Sequence, residues 1–276
     1  MSLHVLCIGA HPDDNEGSIG GTIALLRRRG ASVRMLSVTE GSKGHFDPIY
    51  RRSPQALVRR REAEARAAAA LVGAEYVCLG EVDGEVEVNL ANTLTMVRAI
   101  RSFGEEGQGP DLVLLNRPND YHRDHRYSAQ LALDAAYLLT VPFTCPETPA
   151  LRRMPVFAYW WDTFTEGGAF RADVVVPIDR VVELKTDMVC CHESQFYEWL
   201  PYNSGAHEAL AAFPSDPAER RKRVSQWWLG EAAAVRNAHA DRLPPDCRYA
   251  EAFQISEYGR RPSADEIPHL FPVSGE

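Results

Sequence analysis

Two short stretches of the chain concentrate groups that can bind a metal and move protons: Ala10-His11-Pro12-Asp13-Asp14-Asn15-Glu16 and Asn119-Asp120-Tyr121-His122-Arg123-Asp124-His125. In the first, Pro12 fixes its own φ and biases His11 away from helix, so the chain turns sharply there. Side chains three residues apart can then converge while the one between them points elsewhere, so that His11 and Asp14 can share a metal with Asp13 left unligated beside it. In the second, His122 and His125 lie three apart at a helix start and can face one cavity. One imidazole and one carboxylate from the first stretch with one imidazole from the second form the set found in hydrolytic zinc sites, whose fourth position holds water. The spacing does not choose between His122 and His125. Nor does it name the metal, since iron(II) and other divalent ions accept the same donors; one zinc per chain is the expectation. The plain alternatives are a satisfied polar histidine after a strand and an Asp-Asp pair capping a helix.

Elements of alternating type must bring the two stretches together. His4 to Ala10 is a short continuous apolar run, as in a strand buried on both faces of a parallel sheet, and it opens directly onto His11. Gly17 to Arg29 carries Ile19, Ile23 and Leu26 at helical spacing and stops at Gly30. Val33 to Thr39 reads as a second strand and Glu40 to Arg52 as a loop. Ser53-Pro54 then starts a long Ala-rich helix that ends near Gly73, before a strand from Glu75 to Leu79. Asn89 caps a helix with Leu90, Leu94, Val97 and Ile100 on one stripe, and Asp111 to Asn116 is a fourth strand, followed by a helix from near Asp124. This alternation implies parallel crossovers, whose ligands collect beyond the carboxyl ends of the strands, where both reactive stretches fall.

Three prolines between Thr144 and Pro155 mark the end of the layered part. Beyond them, Val156 to Trp161 and Asp173 to Ile178 read as strands, Val181 to Cys191 and Pro217 to Ala238 as helices, and the last ~35 residues as irregular. The expected fold is α/β, a mostly parallel sheet with helices on both faces and an irregular C-terminal extension. It forms one domain over residues 1–276, with 1–143 as the layered part and 144–276 as an elaboration.

The totals narrow the classes further. A net charge of −8 argues against a nucleic-acid partner. No C-x-x-C pair occurs among the six cysteines, no apolar stretch approaches a membrane span, and no signal-like segment precedes the first strand. Reduced thiols, a cytoplasmic location and no membrane partner are therefore expected. A dinucleotide-binding protein is disfavoured because Gly9-Ala10-His11 puts an imidazole where a pyrophosphate needs bare backbone.

The chain resembles the PIG-L/LmbE-like deacetylases. His11-Pro12-Asp13-Asp14, Gly20-Gly21-Thr22 and Pro118 to His125 carry the likeness. Weaker matches are Val38-Thr39 with Gly41 and Gly44, Arg59-x-x-Glu62 before Leu71-x-Gly73, Lys185 with His192-x-Ser194-Gln195, and Tyr249 to Phe253. The resemblance implies a Rossmann-like fold and zinc on His11, Asp14 and His125. It further implies Asp13 as general base, His122 as the group that stabilises or protonates the tetrahedral intermediate, and Asp124 orienting His122. The implied reaction removes an N-acyl group, usually N-acetyl, from a small amino-sugar substrate, releasing acetate and a free amine.

Asn15 departs from the family, which commonly has Glu there, and this bears on substrate selection. Asn15, His45 and Arg59 are the candidate substrate contacts. Tyr159-Trp160-Trp161 and Trp227-Trp228 can stack on a sugar ring, with core or subunit-interface packing as their default, and a homo-oligomer is expected. The competing readings are an amidase of a thiol conjugate or secondary-metabolite sugar, and a binding module without catalysis.

Overall fold

The computed structural model describes residues 2–276. Strands β1 (His4–Gly9), β2 (Ser32–Thr39), β3 (Glu75–Glu81), β4 (Leu112–Leu115), β5 (Val156–Trp160), β6 (Val174–Pro177) and β7 (Ala250–Ile255) form one sheet in the order β3-β2-β1-β4-β5-β7-β6. The first five pair in parallel, and β7 runs antiparallel between β5 and β6. The helices are α1 (Asp14–Arg28), α2 (Pro48–Arg52), α3 (Pro54–Val72), α4 (Leu90–Arg101), α5 (Arg123–Leu138), α6 (Val182–Cys190), α7 (Leu200–Ala211), α8 (Pro217–Ala238) and α9 (Ile267–Leu270). A π-helix, Ser194–Trp199, precedes α7.

Period-two side chains of the strands feed two cores. Val5, Cys7, Leu112 and Leu114 pack with residues of α1, α3, α6 and α8 on one face, while Leu6, Ile8, Val113 and Leu115 pack with α4 and α5 on the other. The mostly parallel sheet covered on both faces is the fold the sequence implied. The strand order reverses between β1 and β4, and a cleft opens beyond the carboxyl ends of strands at such a switch point. Both reactive stretches leave from it.

Three expectations change, the simplest being that Pro48–Arg52, read as loop, is the short helix α2. The last stretch is not irregular throughout: β7 lies inside the sheet and a short helix, α9, follows it. The first helix begins at Asp14 rather than Gly17 and is broken at Ile19, whose φ of −131° is not helical. The break frees backbone donors in the middle of the helix, and Glu251 of β7 accepts them from Gly21 N (3.0 Å) and Thr22 N (2.7 Å). A Cβ at Gly21 would come within 2.9 Å of that carboxylate and 2.8 Å of Ile178, so the close approach requires glycine. Lys185 of α6 neutralises Glu251 at 2.7 Å, with both side chains almost wholly buried. The turn bearing Asp13 and Asp14 is thus fixed from the far end of the chain.

Truncating Glu251 to Ala leaves Lys185 charged and buried without its partner, so a stability loss of about 3–5 kcal/mol is expected in denaturant unfolding. Adding Lys185→Met should restore much of it. A loss under about 1 kcal/mol for Glu251→Ala would show that the pair does not hold the broken helix.

Candidate metal centre

His11 leaves the end of β1, Asp13 and Asp14 start α1, and His122 and His125 lie at the start of α5. The three imidazoles pack with ring centroids 4.7 Å (His11–His122), 5.2 Å (His11–His125) and 4.9 Å (His122–His125) apart. Asp14 sits among them. Its Oδ2 accepts the backbone N–H groups of Ala10 and His11, both at 2.8 Å, and lies 3.6 Å from His11 Nδ1, while its Oδ1 lies 3.5 Å from His125 Nε2.

The outer contacts decide which ring nitrogen carries each proton. His125 Nδ1 is 2.9 Å from Asp120 Oδ2, an acceptor, so Nδ1 holds the proton and the Nε2 lone pair turns to Asp14. His11 Nε2 lies 3.4 Å from Asp83 and 3.5 Å from Asp124, which leaves Nδ1 free on the side of Asp14. His122 differs: its Nδ1 accepts the Asp124 backbone N–H at 3.2 Å, so the neutral ring carries its proton on Nε2. Ligand nitrogens of His11, His122 and His125 lie within 4.8 Å of one another, as does that of His11 with the Asp83 and Asp124 carboxylates. Of the three imidazoles, His11 and His125 turn a lone pair toward the two oxygens of Asp14, while His122 offers a donor. The donor set suits a divalent cation with an open position.

The charge distribution fits the same conclusion. Burial opposes a charge on His11, but Asp124, Asp14 and Asp83 outweigh it and hold its pKa well above the ordinary range. Burial likewise opposes charge on His125, and Asp14 and Asp120 overcome it to raise the pKa to about 10. The reverse side of that attraction, from His125 and His11, overcomes burial to hold Asp14 well below the usual carboxylate range. His122 is pushed down, first by burial and then by His11 and His125. The carboxylates thus favour positive charge where the lone pairs meet. Buried Asp124 Oδ1, which has no hydrogen-bond partner, adds to that demand.

Asp13 stands apart from the convergent set. Its φ of 137° is strained for a residue with a side chain. Arg61 of α3 holds it there, donating to Pro12 O at 2.9 Å and to Asp13 Oδ2 at 3.3 Å. Arg61 also reaches Gly41 O at 3.2 Å; Gly41 has φ +74°, and a Cβ there would come within 2.6 Å of the guanidinium. Burial raises the Asp13 pKa to about 6 against the opposing pull of Arg61.

A cleft of about 540 Å³ runs from these groups. Lys43, Arg61 and Asp83 supply polar lining near the imidazoles, and Phe196, Trp199, Leu200, Trp227 and Trp228 supply an apolar part.

The other expected site residues fall differently. Asp124 does not orient His122 through its carboxylate, which reaches His11 and accepts Gly84 N at 2.5 Å; only its backbone N–H meets the His122 ring. Asn15 is buried and donates to Leu36 O at 3.3 Å, away from the cleft lining. His45 anchors its loop instead of lining the cleft, with Nε2 2.7 Å from Glu198 and Nδ1 accepting Asp47 N. Arg59 is exposed on α3, and Arg61, two residues on, is the one at the site. Glu62 pairs with Arg66. Trp160 is a core residue, whereas Trp227 and Trp228 do reach the cleft.

Sequence reasoning missed Asp83 and Arg61 and gave Asp120 no role. Asp83 follows β3, a strand end that the carboxyl-edge rule covers. Arg61 stands in register with buried Leu57, Ala65 and Ala68, a stripe that marks it as an inward-facing charge.

Comparison with known proteins agrees with this picture. Residues 6–136 match the PIG-L family model, described as GlcNAc-PI de-N-acetylase. The diacetylchitobiose deacetylase of Thermococcus kodakarensis is 31% identical over 72% of this chain and 74% of its own length. The 4-oxalmesaconate hydratase of Pseudomonas putida is 25% identical over 71% of this chain and 76% of its own. The solved N,N'-diacetylchitobiose deacetylase of Pyrococcus horikoshii shares the fold, with a TM-score of 0.71, 22% identity, and coverage of 92% of this chain and 84% of that one. This chain belongs to the PIG-L/LmbE-like deacetylase family.

Asp120 supports the centre through His125 Nδ1 and through the backbone N–H of His122, which donates to its Oδ1 at 2.7 Å, so Asp120→Ala should weaken zinc binding by roughly 10- to 100-fold in a chelator competition titration. Unchanged affinity would remove Asp120 from the support of the site.

Proposed function

We propose that the protein hydrolyses an N-acyl amide, foremost N-acetyl, on a small amino-sugar substrate. Convergence of the His11, His125 and Asp14 donors beside an unligated Asp13 is the observation that carries this reading. His11, Asp14 and His125 would hold one zinc ion, which when bound supplies a water of lowered pKa and polarises the carbonyl.

The chain's own residues perform the proton work. Asp13 takes a proton from the attacking water, and Arg61 keeps the carboxylate turned to the cleft by holding both its backbone and its side chain. A pKa near 6 suits a group that must accept that proton and then pass it to the departing nitrogen. His122 donates from Nε2 to the developing oxyanion as a neutral imidazole, because Asp124 N–H occupies Nδ1 and the neighbouring imidazoles disfavour a further charge. The carbonyl carbon gains the water oxygen, the C–N bond breaks, and a carboxylate and an amine leave.

The likeness to a hydratase favours a second reading, addition of water to an unsaturated polycarboxylate. Charge in the cleft weighs against it. The cations lining it, Lys43 and Arg61, are paired with Glu85 and Asp13. A polyanionic substrate would therefore find no unpaired lysine or arginine among the described residues of the lining.

Release of acetate from N-acetylglucosamine and diacetylchitobiose by the zinc-loaded protein tests the proposal, with oxalmesaconate hydration as the counter-assay. Asp13→Asn should retain zinc yet lose about 10²–10⁴-fold in rate, and should abolish the acid limb of the pH profile. That limb should lie at about pH 6 or below, since the base works only when deprotonated and a bound cation favours its charged form. Loss of zinc from Asp13→Asn would instead make Asp13 a ligand. His122→Ala should keep zinc and lose roughly 10²-fold in rate.

A further inference from the structure

The cations that line the cleft are paired, but two arginines outside it are differently placed. Arg123, Arg126, Tyr127 and Gln130 follow one another at helical spacing on α5 and line a separate cavity of about 480 Å³. This cavity shares no lining residue with the metal cleft. Among the described residues Arg126 makes no ion pair, and Arg123 meets only Asp124 Oδ1, at 4.0 Å.

Both guanidinium groups are already held. Arg126 Nη1 donates to Asp120 O at 2.6 Å and to Tyr121 O at 2.9 Å. Arg123 Nη1 donates to Gly84 O at 3.0 Å, and its guanidinium carbon lies 4.7 Å from the centroid of the Tyr127 ring. Each uses one nitrogen on the backbone, so Nε and Nη2 of both have no hydrogen-bond partner among the described residues. Donors fixed in this way have lost part of the freedom that binding an anion would otherwise remove. The one carboxylate in the lining, Glu87, accepts Asn89 Nδ2 at 3.3 Å, and two arginines against it leave the cavity positive in a chain of net charge −8. Val88, Pro118 and the Tyr127 ring supply an apolar flank.

The gripped carbonyls lead to the metal centre. Gly84, held at its O by Arg123, gives its N–H to Asp124 Oδ2, which lies 3.5 Å from His11 Nε2. Asp120, held at its O by Arg126, lies 2.9 Å from His125 Nδ1. The two arginines of one cavity therefore hold the two turns that supply outer partners to His11 and His125. We propose that this cavity binds a small organic phosphate monoester, its head on the free edges of Arg123 and Arg126 and its apolar body along Tyr127 and Val88, and that the bound anion strengthens the metal centre. Two guanidinium edges match the double charge and three free oxygens of a phosphate monoester better than they match one carboxylate. Occupancy stiffens both arginines and adds negative charge near the cation, and both effects favour the metal. Anion binding stands on the cavity alone, whereas the coupling rests on the zinc reading above, and the two can fail separately.

Calorimetric titration of the zinc-loaded protein with phenyl phosphate, inorganic phosphate and benzoate tests the site. Phenyl phosphate should bind once per chain, about tenfold or more tighter than the other two, which lack its apolar body or its second charge. Arg123→Gln and Arg126→Gln should each weaken it by about tenfold or more, and Arg126→Lys should keep part of the affinity, all three with thermal midpoints close to wild type. Saturating phenyl phosphate should raise zinc affinity several-fold in chelator competition, and by reciprocity the zinc-loaded protein should bind phenyl phosphate more tightly than the zinc-free protein by the same factor. Phenyl phosphate affinity that survives both Gln replacements would put the anion on the metal and overturn the site. Benzoate binding as tightly as phenyl phosphate would overturn the phosphate assignment, and equal zinc affinity with and without phenyl phosphate would overturn the coupling. If phenyl phosphate binds through the arginines of a protein that takes up no zinc, the metal reading fails and the anion site stands.

Discussion

The carboxylate of Asp14 is the link on which the site depends. One oxygen ties the turn after β1 together through the backbone N–H groups of Ala10 and His11, and the other reaches His125 on α5. Two strand ends that are neighbours in the sheet but more than a hundred residues apart in sequence are thereby locked into one centre. Around them, Asp83, Asp120 and Asp124 hold the outer nitrogens of the rings. Such buried negative charge is costly unless matched, and here imidazoles, Arg61 and a cation's worth of convergent lone pairs match it.

A second layer makes the geometry unique. Asp13 occupies strained backbone that persists because Arg61 grips its carbonyl neighbour, its carboxylate and the Gly41 loop at once. In the middle of α1, Glu251 and Lys185 cap the break at Ile19 and thereby set the direction of the helical turn that carries Asp14. The turn that carries Asp13 and Asp14 is pinned from α3 on one side and from β7 and α6 on the other. This is why residues near the C-terminus are part of the architecture of a site that starts at residue 11.

Much of this was legible in the sequence, because it is local. The run His4 to Ala10, the turn at Pro12 and the three-residue spacings of His11–Asp14 and His122–His125 follow from period and backbone restriction alone, and they placed the cleft correctly beyond β1 and β4. What stayed hidden was non-local. Nothing near Glu251 says that it caps a broken helix 230 residues away, and the prolines and turn residues around β7 made its stretch read as irregular. The choice between His122 and His125 depends on which outer atoms meet each ring, contacts that spacing cannot supply. Arg59 drew attention through the family resemblance, whereas the inward register of Arg61 was the better physical signal.

The central claim is that ring tautomers select His11 and His125 as ligands and leave His122 as a donor. X-ray absorption at the zinc edge of the loaded protein tests it most directly. Two imidazoles and oxygen donors are expected around the ion, falling to one imidazole in His125→Ala and staying at two in His122→Ala. Three imidazoles in the native protein, or the loss of one in His122→Ala, would contradict the account.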